Sequence, residues 1–158
     1  MYEGHSTQKL AFMPYVSAMV GCKFFVMTNS SGGGVEGMKH GSFMLSEDHF
    51  NNSLSSSIPQ VYFGSDFKLR YCSPSDAHSK YLNELAEKVA QETDNVLFKA
   101  NYCMTSGPSY ETPTETLLFR KMGGGAFGMS TVIELQATAH TGMQGITLSM
   151  ITNLAAGL

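Results

Sequence analysis

Leu10, Met13, Val16 and Val20 recur near helical spacing, which predicts a helix over 6–19 with Ser6 able to cap its start and Gly21 to end it. The run KFFVMTN (23–29) is continuous and rich in apolar and β-branched side chains, so it predicts a buried strand delivering its carboxyl end into the glycine loop SSGGG. GSFMLS (41–46) predicts a second strand. Between residues 50 and 75 no period persists among many Ser, Asn, Gly and Pro, and a long loop is expected there, of a kind that is often functional. Leu82, Leu85, Ala86 and Val89 then share one face of a helix over 77–93, with Asp76 placed to cap it. VLFKANYCM (96–104) alternates as a strand does. In TPTETLLFRKMG (112–123), Thr112 stands at the N-cap, Pro113 at the first helical position and Glu115 three residues on, the signature of a capping box. AFGM (126–129) is expected to be a strand, IELQATAHTG (133–142) a helix ending at Gly142, and GITLSMITN (145–153) an apolar strand.

Strand and helix thus alternate down most of the chain, which predicts an α/β layer architecture with a shared sheet and ligand-facing loops at the strands' carboxyl ends. No internal repeat or linker divides the 158 residues, so a single domain over 1–158 is expected. The formal net charge of -3 and the scatter of the basic residues give no footprint for a nucleic-acid backbone. No segment approaches the length of an apolar membrane span, and MYEGHSTQKL lacks a basic region followed by an apolar core. A cytoplasmic protein with neither nucleic-acid nor membrane partner is therefore expected. The 3 cysteines have no CxxC spacing and the 5 histidines no HExxH pairing, so neither a disulfide framework nor a metal centre is expected.

The candidate chemistry lies where strands end. A glycine run after a strand lets backbone N–H groups approach an anion, with hydroxyls from Ser30 and Ser31 beside them; SSGGG is equally a surface turn. Ser130, between a strand and a helix, is either another hydroxyl donor or an ordinary N-cap. Glu111 beside Tyr110 either reads the edge of a planar heterocycle stacked on the ring or is a solvated loop charge. Asn153 offers donor and acceptor at the end of an apolar strand, to a ligand or to a turn.

YEGHS, TNSSGGG, DHFN, GPSYETPTE, GMSTV and SMITNLAAG follow one another along the whole chain. In order and approximate spacing they resemble the trimeric purine nucleoside phosphorylase family, and differ from the related methylthioadenosine phosphorylases in GPSYETPTE, GMSTV and ITN. The resemblance implies a nucleoside phosphorylase/hydrolase-like α/β fold, a mixed central sheet flanked by helices, truncated at both ends relative to the family. It implies phosphate-dependent cleavage of the N-glycosidic bond of 6-oxopurine nucleosides such as inosine and guanosine, giving free base and ribose 1-phosphate, with inorganic phosphate as co-substrate and no metal or organic cofactor. Glu111 would grip the N1/N2 edge of the purine and Asn153 its O6/N7 side, where negative charge builds as the base leaves. Tyr110 would line the base pocket, and Tyr2 and Met129 would contact the ribose. The phosphate would be held by Ser130 and the Ser30 backbone N–H. Phe67 would cap the neighbouring subunit's pocket in a homotrimer.

Departures accompany the resemblance. Ser30 and Ser31 stand where the family pattern has alanines; Gly124 and Gly125 are expected to loosen a turn, and Ile133 replaces a helix-starting proline. Family members extend past both ends of this sequence. Those segments carry a further phosphate loop, an Arg-His pair on the phosphate and a histidine on the ribose, and their strands would leave sheet edges uncovered here. The alternative to an enzyme is therefore a catalytically silent fragment or paralogue that retains purine binding or subunit contacts.

Overall fold

The computed structural model describes residues 3–53 and 73–158. Its elements are helices α1 (Thr7–Leu10) and α2 (Phe12–Met19), strands β1 (Phe24–Gly33) and β2 (Phe43–Asn52), a 3₁₀ turn at Pro74–Ala77, α3 (Lys80–Glu92), β3 (Leu97–Thr105), α4 (Pro113–Lys121), β4 (Gly124–Gly128), α5 (Val132–Thr141) and β5 (Gln144–Leu154). The α/β class is the one the alternation predicts, and a mixed sheet flanked by helices is what the resemblance implies.

The sheet, however, closes on itself in the order β1-β4-β3-β2-β5. Parallel pairs (β1 with β5, β2 with β3, β3 with β4) are joined by antiparallel ones (β2 with β5, β1 with β4). Each described strand has a neighbour on both sides, but only over part of its length: Phe24–Ser31 of β1 pair with β5 alone, so part of the expected open edge remains there. The closing seam is short: β4 meets β1 only at Gly32↔Phe127 and Gly33↔Ala126.

Closure draws on glycine. A Cβ on Gly125 would run into that of Ala100 and come within 2.8 Å of Val35 Cγ2; one on Gly124 would meet Cys103 Sγ and lie 2.9 Å from the Phe119 carbonyl oxygen. Both glycines are buried inside β4, so they admit close packing rather than loosen a turn.

Packing explains why the alternation of β3 gives way to a continuous buried run at Tyr102–Met104. Tyr102 and Met104 face a core that includes Met44, Ala126, Ile151 and residues of α5. Cys103, pointing the other way, meets Phe119 of α4, Phe127 and Ala155. Over Tyr102–Met104 the strand is covered on both faces and has no solvent side to be polar, whereas Lys99 nearer its start is exposed. Leu82 of α3 packs on Leu45 and Ile146, and burying each such side chain is worth about 1.5–3 kcal/mol.

Four element boundaries differ from expectation. The first helix is split at Ala11, because Pro14 has no N–H to give the Leu10 carbonyl and its ring crowds that oxygen; Ser6 precedes the helix without a side-chain cap. β1 runs through SSGG instead of ending at Asn29, with a bulge between Ser31 and Gly32. β2 extends to Asn52, into the stretch expected to be loop. Asp76 lies in the 3₁₀ turn, and α3 is capped by Ser79, whose hydroxyl accepts the Leu82 N–H at 3.2 Å.

Candidate functional site

The capping box at α4 fixes one wall of the site. Thr112 N–H donates to Glu115 at 2.7 Å and Glu115 N–H to the Thr112 hydroxyl at 3.3 Å, which anchors the preceding Tyr110 and Glu111 at the helix entry. Glu111, half-buried, is held from β3 as well: the hydroxyl of Thr105, the strand's last residue, donates to Glu111 Oε1 at 2.7 Å. One carboxylate oxygen is thus fixed by the protein, and the carboxylate lines the cavity.

The opposite wall is a hydroxyl cluster at the ends of β1 and β4. Asn29 Nδ2 donates to Thr131 Oγ1 at 3.0 Å, and Ser31 Oγ donates to Asn29 Oδ1 at 2.7 Å. Ser130 Oγ lies 3.0 Å from Thr131 Oγ1. These bonds hold Thr131 at φ 79°, a conformation costly for a β-branched residue and found where surroundings impose it. Buried Tyr102 sits beneath, its hydroxyl accepting the Ser130 N–H at 3.4 Å. Burial holds the phenol above its ordinary pKa, against the bonds from Ser130, Thr131 and Ser31, so it keeps its proton. Gly128 makes room for that oxygen, since a Cβ there would touch it and come 3.2 Å from Ser31 Oγ. Ser130 itself is not the cap of α5; Thr131 occupies that position, without a side-chain capping bond.

Between these walls lies a cavity of ≈ 880 Å³, of the size that small-molecule sites occupy. Carboxyl ends of β1, β4 and β5 and the segment after β3 surround it. Of the residues singled out in the sequence, Ser30, Tyr110, Glu111, Met129, Ser130 and Asn153 all line it. Tyr2 and Phe67 lie outside the described residues. Asn153 is exposed at the rim, its Nδ2 donating to the Leu154 carbonyl at 2.8 Å and its Oδ1 accepting from Thr152 at 3.3 Å. Ser30 is in a strand rather than a glycine loop, on a stretch of β1 whose ladder partner is β5 alone. None of the described lining residues is cationic.

Sequence reasoning gave no role to Asn29, Thr131 or Tyr102. Asn29 and Thr131 stand inside the quoted TNSSGGG and GMSTV, but only the fold brings them within bonding distance. Cys103, beneath Glu111, is no nucleophile: burial, and to a lesser extent the Glu111 charge, push its thiol up to about 12.

The barrel and the cavity at its strand ends define the class. The chain belongs to the phosphorylase superfamily, whose family model matches residues 3–158. It is 37% identical over 157 residues to purine nucleoside phosphorylase 1 of Geobacillus stearothermophilus, a match covering 99% of this chain and 57% of that protein. It is 37% identical over 159 residues to purine nucleoside phosphorylase 1 of Bacillus subtilis (strain 168), covering 99% and 58%. Among solved structures, Schistosoma mansoni purine nucleoside phosphorylase complexed with a monocyclic inhibitor superimposes with a TM-score of 0.86 at 32% identity, over 99% of this chain and 60% of that one. The same organism's enzyme in complex with inosine gives 0.85 at 32%, over 98% and 56%. The chain therefore spans less than two thirds of the length of these relatives. No helix among the described residues is long and apolar enough to cross a membrane.

Proposed function

We propose that this chain carries the nucleoside-binding part of a cytoplasmic purine nucleoside phosphorylase acting in purine salvage on 6-oxopurine nucleosides such as inosine and guanosine. The observation that carries the reading is convergence: six residues spread from Ser30 to Asn153 line one cavity in a chain whose relatives bear that enzyme's name. Glu111 accepts from the N1/N2 edge of the base, Thr105 holding it in place. Asn153 gives up its bond to the Leu154 carbonyl and donates to the O6/N7 side. As a phosphate oxygen bonds to C1′, the N9–C1′ bond breaks and its electron pair leaves with the purine. An amide donor aimed where that charge develops stabilises the transition state more than the ground state. Ser130 and the Ser30 backbone hold the phosphate, Met129 and Tyr2 the ribose, and Tyr110 faces the base. Neither metal nor organic cofactor enters this chemistry. The assembly is a homotrimer in which Phe67 reaches a neighbour's pocket.

A second reading is favoured by the absence of any cation among the described lining residues. Charge-assisted hydrogen bonds contribute about 1.5–3 kcal/mol each, so a phosphate held by neutral donors alone is bound weakly. On this reading the chain binds purines without turning nucleosides over. Both readings are tested by hypoxanthine release from inosine with and without phosphate, with the solution mass measured on the same sample. Phosphate-dependent release from a trimer supports the enzyme. A folded protein that binds hypoxanthine without releasing it from inosine supports the second reading, and one that does neither overturns both.

A further inference from the structure

Away from the cavity, β2 carries a bulge between Ser46 and His49, where the ladder is locally disrupted. Asp48 Oδ1 lies 3.8 Å from His49 Nδ1. His78, at the end of the 3₁₀ turn preceding α3, brings its Nε2 to 3.0 Å from the same His49 Nδ1. Ligand atoms from the three residues all lie within 4.8 Å of one another. We propose that Asp48, His49 and His78 form a divalent transition-metal site, Zn²⁺ being the ion its donors suit, that fastens β2 to the entry of α3.

Two imidazoles and a carboxylate are the donor set that zinc takes, with water completing a tetrahedron. Zinc–ligand bonds of about 2.0–2.1 Å at tetrahedral angles place two ligand atoms about 3.3 Å apart, so the ring pair opens by about 0.3 Å, and the Asp48 oxygen closes by about 0.5 Å on His49 and by up to about 1.5 Å on His78, from a position where it accepts the His49 backbone N–H at 2.8 Å. Burial holds both rings below the ordinary histidine pKa, His78 at about 4, where the His49 ring also contributes. In the direct contact one ring nitrogen donates and the other accepts; with an ion bound, His49 Nδ1 and His78 Nε2 both present lone pairs and each ring carries its proton on the other nitrogen. His49 is nearly enclosed and Asp48 open to solvent, their side chains 4% and 61% exposed, so the ion enters from the Asp48 side. The site closes a loop of roughly 30 residues, and joining such distant points is where a clip constrains the unfolded chain.

The site is independent of nucleoside binding and is tested with the metal alone. Chelator-treated protein is titrated with Co²⁺, followed by its visible d–d absorption, and then with Zn²⁺. The expected result is one Co²⁺ per chain with the intense spectrum of tetrahedral coordination, bleached by Zn²⁺, and a rise in Tm of roughly 5–10 °C at a hundredfold excess of free Zn²⁺ over Kd. His78→Gln abolishes the spectrum and Asp48→Asn weakens binding tenfold or more, whereas His5→Gln, at an exposed histidine elsewhere, changes neither. Asp48→Asn alters only an exposed side chain and keeps the test valid should His78→Gln misfold. Absence of tetrahedral Co²⁺ absorption at millimolar metal overturns the site, as does unchanged affinity in Asp48→Asn; the two rings are then simply hydrogen-bonded.

Discussion

Gly128 and Tyr102 offer a test of how the site's hydroxyl cluster is packed. A methyl group on Gly128 would press on the Tyr102 hydroxyl, with the ring's Cζ at 3.1 Å and Ser31 Oγ at 3.2 Å. Tyr102 is 1% exposed and cannot swing into solvent, so Gly128→Ala overpacks a buried contact at a cost of about 1–3 kcal/mol. Tyr102→Phe removes the oxygen that the methyl group meets together with its bonds to Ser130, Thr131 and Ser31, costing about 0.5–1.5 kcal/mol for each bond lost. If the clash is with that oxygen, the double variant is more stable than the sum of the singles by about 1 kcal/mol or more, because the second change relieves the first. Urea unfolding of all four proteins reads this directly: at an m-value of about 2 kcal/mol per M, Gly128→Ala lowers the midpoint by about 0.5–1.5 M, and Tyr102→Phe lowers it by less in that background than alone. Additive midpoints at unchanged m-values would refute the reasoning.

Other consequences follow from individual groups. Thr112→Ala removes the hydroxyl half of the capping box, leaving the residue-112 N–H to Glu115 in place, and lowers stability by about 0.5–2 kcal/mol, read as a fall in Tm; an unchanged Tm contradicts the cap. Burial raises the pKa of Glu134 above 4.5, so the folded state binds more protons than the unfolded one and stability falls as pH rises from 4.5 through the folded value. Glu134→Gln is therefore expected to remove that decline in a pH series of unfolding midpoints, and an unaltered pH profile argues against it. Of the two described cysteines, exposed Cys22 reacts with iodoacetamide in native protein at pH 8. Cys103, at about 12, is modified only on unfolding, and mass spectrometry of the labelled peptides separates the two.

What was legible in the sequence was local. Thr112, Pro113 and Glu115 carry their own capping geometry within four residues, and α4 begins where they say. Gly142 ends α5 in the left-handed region at φ 78°, as a glycine after a periodic run does. What was not legible depends on distant partners. Ser30–Gly33 look like a loop in isolation, and become strand because β5 pairs along them and β4 along their last two residues. Asp76 and Ser79 are both good caps, and the choice between them is made at β5, where Ser79 N–H meets the Gly145 carbonyl at 2.8 Å and its hydroxyl meets Gln144 at 2.6 Å. Closure of the sheet needs glycines whose neighbours lie some 25 residues away in β3. For the site, motif resemblance assembled residues that periodicity could not relate. It supplied no role for Asn29 or Tyr102, whose contribution is to hold Ser130 and Thr131, and spacing alone could not pair His49 with His78.

The central claim, that the cavity between β1, β4, β5 and Glu111 is a purine site, is met most directly by calorimetric titration of hypoxanthine, in the presence of phosphate, into the protein and its Glu111→Gln variant. Loss of a charged hydrogen-bond acceptor is worth about 1.5–3 kcal/mol, or about tenfold to a hundredfold in Kd. Saturable binding at one site per chain, weakened by that factor in Glu111→Gln, is the predicted result. Folded protein that takes up no hypoxanthine, or a variant that binds it as tightly as the parent, would contradict the account.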